Sequence, residues 1–165
     1  MKKENRYNGY ILGEEFHKNR GKVYSKELGW AVNKKHKYMA KVLYEPVHEN
    51  KAFEGEKRGK GKNFATWILS EEEGIKEGIF STNFELMIDA RLEPNASIGL
   101  HYHTTTEEVY YILEGTIDMV TVSENGDEFR QKLCKGDAHF VKLKQGHYGT
   151  AGKKGVRFIA VAVRK

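Results

Sequence analysis

The sequence predicts an all-β protein, an antiparallel sandwich or barrel of the jelly-roll kind, and three observations carry that expectation. Beyond about residue 80, short runs rich in β-branched and aromatic residues follow one another. Apolar residues within these runs recur at period two, the spacing of one face of a strand. The connections are short and built from turn residues, which joins neighbouring strands antiparallel. With 165 residues, 39% of them hydrophobic, the chain is long enough for one domain with a substantial core.

The elements follow in chain order. Tyr38–Tyr44 (YMAKVLY) and Phe64–Leu69 (FATWIL) read as strands. Ser25–Lys35 reads as a short helix or another strand, because Leu28, Ala31 and Val32 fit helical spacing while Gly29 opposes it. In Phe84–Leu92 the residues Phe84, Leu86, Ile88, Ala90 and Leu92 alternate, and Pro94-Asn95 ends the run. Ile98–His103 and Glu108–Leu113 come next, joined by a threonine-rich turn. Thr116–Ser123 runs into Asn125-Gly126, a hairpin signal because both positions tolerate positive φ. Glu128–Cys134 returns, Gly136-Asp137 turns, and Ala138–Leu143 and Val156–Val163 complete the set. Residues 1–80 are expected to be an extension of strands and loops packed on the barrel, not a separate domain. Residues 81–165 are expected to form the barrel core.

Composition excludes several classes of function. No apolar run approaches the length of a membrane span, and no hydrophobic stretch follows Lys2 and Lys3 as in a secretory signal. A single cysteine, Cys134, forbids an internal disulfide and fits a reducing cytoplasm, so a cytoplasmic protein is expected. The net charge of +5 comes from lysines scattered among glutamates. The densest basic run, Lys57 to Lys62, is glycine-rich and reads as a mobile loop, and no nucleic-acid motif accompanies it. Nucleic acid is therefore not expected as a partner.

Chemistry concentrates in Pro94–Gly115. His101 and His103 alternate on one strand and so project to one face. The next strand opens on Glu108 and can run back beside the first, which brings a carboxylate opposite two imidazoles. Such a set is an incomplete metal site, for which His147, just after Gly146 at the head of a turn, is the candidate fourth member. Glu107, one residue away from Glu108, faces the other side of a regular strand. Tyr110 and Ile112 share the ligand face and are expected to line the interior. Val109, Tyr111 and Leu113 make the opposite face apolar as well, so amino-terminal strands or a second subunit must cover it.

Around these residues lie weaker candidates. His139, Tyr110 and Tyr148 are candidate catalytic or supporting groups, although tyrosines at such positions more often pack. Arg91, Lys142 and Lys144 are candidate substrate-binding cations near the mouth of the site. His17, His36 and His48 read as surface or satisfied core residues.

At this point the chain resembles the cupin superfamily. That family's first motif is a glycine, five residues, His-x-His, three or four residues, Glu, six residues and Gly. Here His101, His103, Glu108 and Gly115 fall at those intervals, and Asn95 stands in the first glycine's place. The second motif is a glycine, five residues, Pro-x-Gly, two residues, His, three residues and Asn. Gly136 and His147 match it, while Lys142, Lys144 and Ala151 replace the proline, glycine and asparagine. The resemblance covers residues 94–151 and implies a double-stranded β-helix barrel holding one metal between His101, His103, Glu108 and His147. The ion could be Mn, Fe, Zn, Ni, Co or Cu, and the assembly a homodimer, as is common in cupins.

Two functions are compatible with that reading. One is a metalloenzyme acting on a small oxygen-rich substrate, a sugar or carboxylate, by isomerase or lyase chemistry or by oxidative cleavage. The alternative is a binding or sensing module that holds such a molecule without turnover. An open metal position favours the enzyme.

Overall fold

The protein is described from a computed structural model, in which residues 9–18 and 33–165 are described. These residues form nine strands and one short helix: β1 Ile11–Leu12, α1 Gly13–Lys18, β2 Ala40–Tyr44, β3 Asn63–Ser70, β4 Phe84–Leu92, β5 Ser97–Tyr102, β6 Thr106–Val122, β7 Glu128–Cys134, β8 Ala138–Val141 and β9 Gly146–Arg164. The all-β jelly-roll expectation holds. Strands pair in the order β1-β2-β3-β4-β9-β6-β7, with β5 on β9 and β8 on β6. Every pairing is antiparallel except β1 with β2, so the sheet is mixed at that edge.

The centre of the fold is one long ribbon, β6 against β9. Thr106–Gly115 pairs with Val156–Arg164, and Ile117–Val122 pairs with Gly146–Ala151, the register shifting between the two stretches. The ribbon turns its corner at Gly115 and Gly155, both at positive φ (74° and 78°). A Cβ on Gly115 would stand 2.1 Å from the carbonyl oxygen of Gly155, so only glycine fits there. Two runs read as separate strands, Glu108–Leu113 and Thr116–Ser123, are thus one bent strand. The first half of β9 is a strand that its glycines conceal: Gly146, Gly149 and Gly152 lie where any Cβ would meet Tyr102, Met119 or Thr116.

Alternation then assigns the faces. Leu92, Ile98, Ile112, Ile117, Met119 and Phe158 meet in the main core between the two halves of the ribbon. Asn95 takes a left-handed φ of 60°, the conformation the replaced glycine would supply. Lys144 does the same at φ 68°.

The amino-terminal strands extend the edge of the sheet beyond β4 instead of lying over it. Phe16 of α1, Val42 and Trp67 share a second core cluster with Leu86 of β4 and Ala162 of β9. The basic run is not a loose loop. Gly55–Arg58 is a 3-10 turn, and Lys60 exchanges backbone hydrogen bonds of 3.1 and 2.8 Å with Ser97 at the start of β5. Lys57 pairs with Glu128, and Arg58 with Glu49 at 3.3 Å. The helix-or-strand reading of Ser25–Lys35 falls, but for residues 33–35, outside the described residues.

Two substitutions test these backbone assignments by chemical denaturation. Gly115→Ala should lose at least about 2 kcal/mol, since positive φ and the clash with Gly155 act together. Lys144→Gly should gain about 1 kcal/mol, because it removes a left-handed non-glycine residue and only an exposed ion pair.

Candidate metal centre

Four side chains from three strands and the loop after β5 converge on one point. Register pairs His101 of β5 with His147 of β9, and β9 in turn places His147 beside Thr121 of β6. His103 follows β5, with its carbonyl accepting from Lys144 N–H and its N–H donating to the Gln145 carbonyl. Glu108 lies on the inner face of β6, between Val141 of β8 and Ala162 of β9. Glu107, its neighbour, is exposed.

The Nε2 atoms of His101 and His103 stand 2.9 and 3.1 Å from Nε2 of His147. Glu108 Oε2 is 3.4 Å from His147 Nε2 and 3.6 Å from His103 Nε2. One donor atom from each of His101, His103, Glu108 and His147 lies within 4.8 Å of all the others. Ligands about 2.1 Å from one ion and at right angles to each other stand about 3.0 Å apart, so the imidazole spacing matches neighbouring positions of an octahedral shell. Glu108 Oε2 is buried with no hydrogen-bond partner. A buried anionic oxygen without a donor is a costly arrangement that a cation would relieve. The donor set fits a divalent transition metal.

The remaining ring nitrogens are engaged. His101 Nδ1 lies 2.9 Å from the Gly99 carbonyl, and His103 Nδ1 shares a 3.2 Å hydrogen bond with Thr106 Oγ1. A carbonyl only accepts, so His101 carries its proton on Nδ1 and turns an Nε2 lone pair inward. Burial, aided by the neighbouring His48 and His147, lowers the His101 pKa well below its usual value. Burial does the same to His147, with His139 and His103 adding to it, and lowers His103 as well. The three rings are therefore neutral at neutral pH, the form that ligates metals. Burial raises the Glu108 carboxyl, against the pull of His103.

Tyr110 packs in the main core, its ring 4.4 Å from that of Phe158, and its hydroxyl interacts with Glu108. Burial, and then Glu108, raises its pKa well above the ordinary range. His139 also reaches the cluster, with Nε2 2.9 Å from His147 Nδ1. The other candidates do not. Tyr148 follows His147 on a strand and so faces away, donating to Glu128 at 2.9 Å beneath the Gly55–Arg58 turn. Arg91 occupies an outward position of β4 and pairs with Glu114 at 3.0 Å. The Lys144 ammonium pairs with exposed Glu124 at 3.0 Å, and Lys142 is exposed.

His48 is exposed, as expected of a surface residue, yet it lies closer to the centre than its sequence suggested. His48 stacks on His101 with ring centroids 3.8 Å apart and planes within 14°. Its segment is tied to β5: Gly99 N–H donates to the Val47 carbonyl at 3.2 Å, and Asn50 Nδ2 to the Leu100 carbonyl at 3.0 Å. A Cβ on Gly99 would fall 2.0 Å from the His48 carbonyl oxygen, so glycine permits the approach. No spacing rule links residue 48 to residue 101. The glycine before Leu100 was the one local hint of close backbone contact.

Comparison with known proteins agrees with this geometry. A family model described as cupin matches residues 78–164. Among solved structures, a tryptophan-to-tyrosine variant of oxalate decarboxylase from Bacillus subtilis is similar at 25% identity and a TM-score of 0.54, over 64% of this chain and 26% of that one. A predicted oxalate decarboxylase from Thermotoga maritima is similar in fold, at 23% identity and a TM-score of 0.56, over 79% of this chain and 97% of that one. A further structure of the Bacillus subtilis enzyme, concerned with its Mn(II) centres, aligns at 24% identity with a TM-score of 0.53, over 62% of this chain and 25% of that one. The chain thus spans about a quarter of the length of the Bacillus enzyme. No curated protein matches the sequence.

The titrations predict an acid-labile metal-free protein. Burial, and then His103, lowers His139 to about 4. Unfolding lets it take up a proton below its ordinary value of about 6.5, so its contribution is intact above that pH and declines by about 3 kcal/mol as pH falls to 4. His101, His103 and His147 have the same sign, and Glu108, raised instead, partly opposes them. Thermal melts in chelator should show a lower midpoint at pH 5.5 than at pH 7.5. Glu108→Gln should raise metal-free stability at pH 7.5 by about 1 kcal/mol while abolishing stoichiometric metal binding.

Proposed function

This chain belongs to the cupin family, and from that premise we propose that it is a metalloenzyme acting on a small oxygen-rich carboxylate by lyase-type chemistry. His101, His103, Glu108 and His147 would hold one divalent transition ion. The observation that supports this most directly is the convergence of three neutral imidazoles on a buried Glu108 oxygen without a hydrogen-bond donor. When bound, the ion would supply two further coordination positions and polarise the oxygens of a chelating anion.

The chain's own groups prepare that site. Burial keeps the three rings unprotonated, so protons do not compete for their lone pairs. Tyr110 braces Glu108 from the core side. The apolar walls around Ile112 and Phe158 exclude water from the inner face of the carboxylate. His48 forms an outer wall by covering the face of His101. A carboxylate substrate is favoured over a sugar by the likeness to oxalate decarboxylase at 25% identity.

Elemental analysis of untagged protein should find about one divalent transition ion per chain. The Mn(II)-loaded protein should then release carbon dioxide from a small dicarboxylate such as oxalate. Release that persists without oxygen supports a lyase, and consumption of oxygen moves the assignment to oxidative cleavage. Binding of the dicarboxylate without turnover would establish the binding-module alternative. Absence of stoichiometric metal would end both readings.

We propose further that two copies pair through the outer face of β4, β9, β6 and β8. Register sets Met87, Val161, Val109 and Phe140 in one row, and Ile159, Tyr111 and Ala138 in the next. Phe140 is 62% exposed, Tyr111 48% and Val163 45%, so the described residues leave this apolar face open. Phe140→Asp should halve the mass seen by light scattering, and a monomeric wild type would refute the pairing. The single exposed thiol, Cys134, supports a cytoplasmic location.

A further inference from the structure

β8 brings a fourth histidine to the cluster, and its role follows from where one proton must sit. Ala138 and Phe140 face outward, while His139 and Val141 face inward against Tyr110 and Glu108. His139 Nε2 lies 2.9 Å from His147 Nδ1. The two rings are within 11° of coplanar with centroids 5.1 Å apart, which is an in-plane N–H···N hydrogen bond, since faces in contact would lie closer. His147 is fully buried and His139 is 7% exposed, so solvent offers His147 Nδ1 no substitute partner.

Two neutral imidazoles share one proton across such a contact, and two arrangements are possible. With the proton on His139 Nε2, His147 must carry its own proton on Nε2. That proton would point at His101 and His103 and block the site. With the proton on His147 Nδ1, its Nε2 lone pair faces the same convergence point as theirs. His101 reaches the equivalent state through a backbone carbonyl, an obligate acceptor. The position beside His147 holds an imidazole instead, which accepts only when its own proton sits on Nδ1.

We infer that His139 is a positioning residue that accepts the Nδ1 proton of His147 and so holds the His147 Nε2 lone pair open to a metal ion. This rests on the metal-centre reading of the four side chains. The role is distinct from ligation, because His139 meets the cluster only through His147.

Two variants and one spectrum test it. His139→Phe keeps the ring shape but removes the acceptor, and His139→Gln restores an acceptor in the amide oxygen. Mn(II) affinity of the full chain, measured by competition with a chelator, should fall about 10- to 100-fold in the Phe variant and return to within about threefold in the Gln variant. The melting temperature of the metal-free Phe variant should not fall with it, which separates the effect from lost packing. Nitrogen NMR of the histidine rings in metal-free wild type should place the His147 proton on Nδ1, a readout that needs no variant to fold. A Phe variant that binds Mn(II) as tightly as wild type, or a His147 proton found on Nε2, would overturn the inference while leaving the metal centre standing. A wild type that takes up no metal would overturn the metal centre itself.

Discussion

The pairing of β6 with β9 on both sides of one glycine corner is the constraint on which the rest of the structure depends. Because Gly115 and Gly155 let the ribbon fold back, the first half of β6 delivers Glu108 and the first half of β9 delivers His147 to the same interior. β5 then needs only to pair with β9 in register, His101 opposite His147, for the imidazoles to meet. The ligands come from positions up to 46 residues apart, and no local structure holds them together. The ribbon does.

How much of this was readable in the sequence varied with how local the signal was. His101, His103 and Glu108 were legible because strand alternation fixes which side chains share a face, and the distinction between Glu108 and Glu107 follows from the same rule. The bent corner was half legible: Gly115 looked like a break between strands, although it is a bend within one. The first half of β9 was invisible, since Gly146 to Gly155 resembles a loop. Its glycines are there because strands and side chains approach from both sides. The surroundings of the cations were illegible for a different reason. Arg91 and Lys144 found carboxylates on the surface, and sequence spacing says nothing about such partners.

His48 and His139 are the instructive pair. His139 was ambiguous only because its strand is short, and once β8 pairs with β6 its facing follows from alternation. His48 had no such rule behind it. Its place depends on the Val47–Lys60 segment bonding along β5, a contact between distant parts of the chain that only the assembled fold creates. The unpaired Glu108 oxygen is one of several such buried carboxylate oxygens among the described residues, and what sets it apart is the ring of neutral imidazoles converging on it, an arrangement that a cation would relieve.

The stacking of His48 on His101 has a thermodynamic consequence. An ion that held the His101 ring in place would lower the entropy cost of laying the amino-terminal segment over it, and a docked segment would in turn retain the ion more firmly. Occupancy and segment order are then linked quantities, each raising the other by the same factor. The part of the chain that matches no cupin motif would become a reporter of the metal's presence. Protease sensitivity around residues 45–60 would read out ion loss without any measurement at the ion itself.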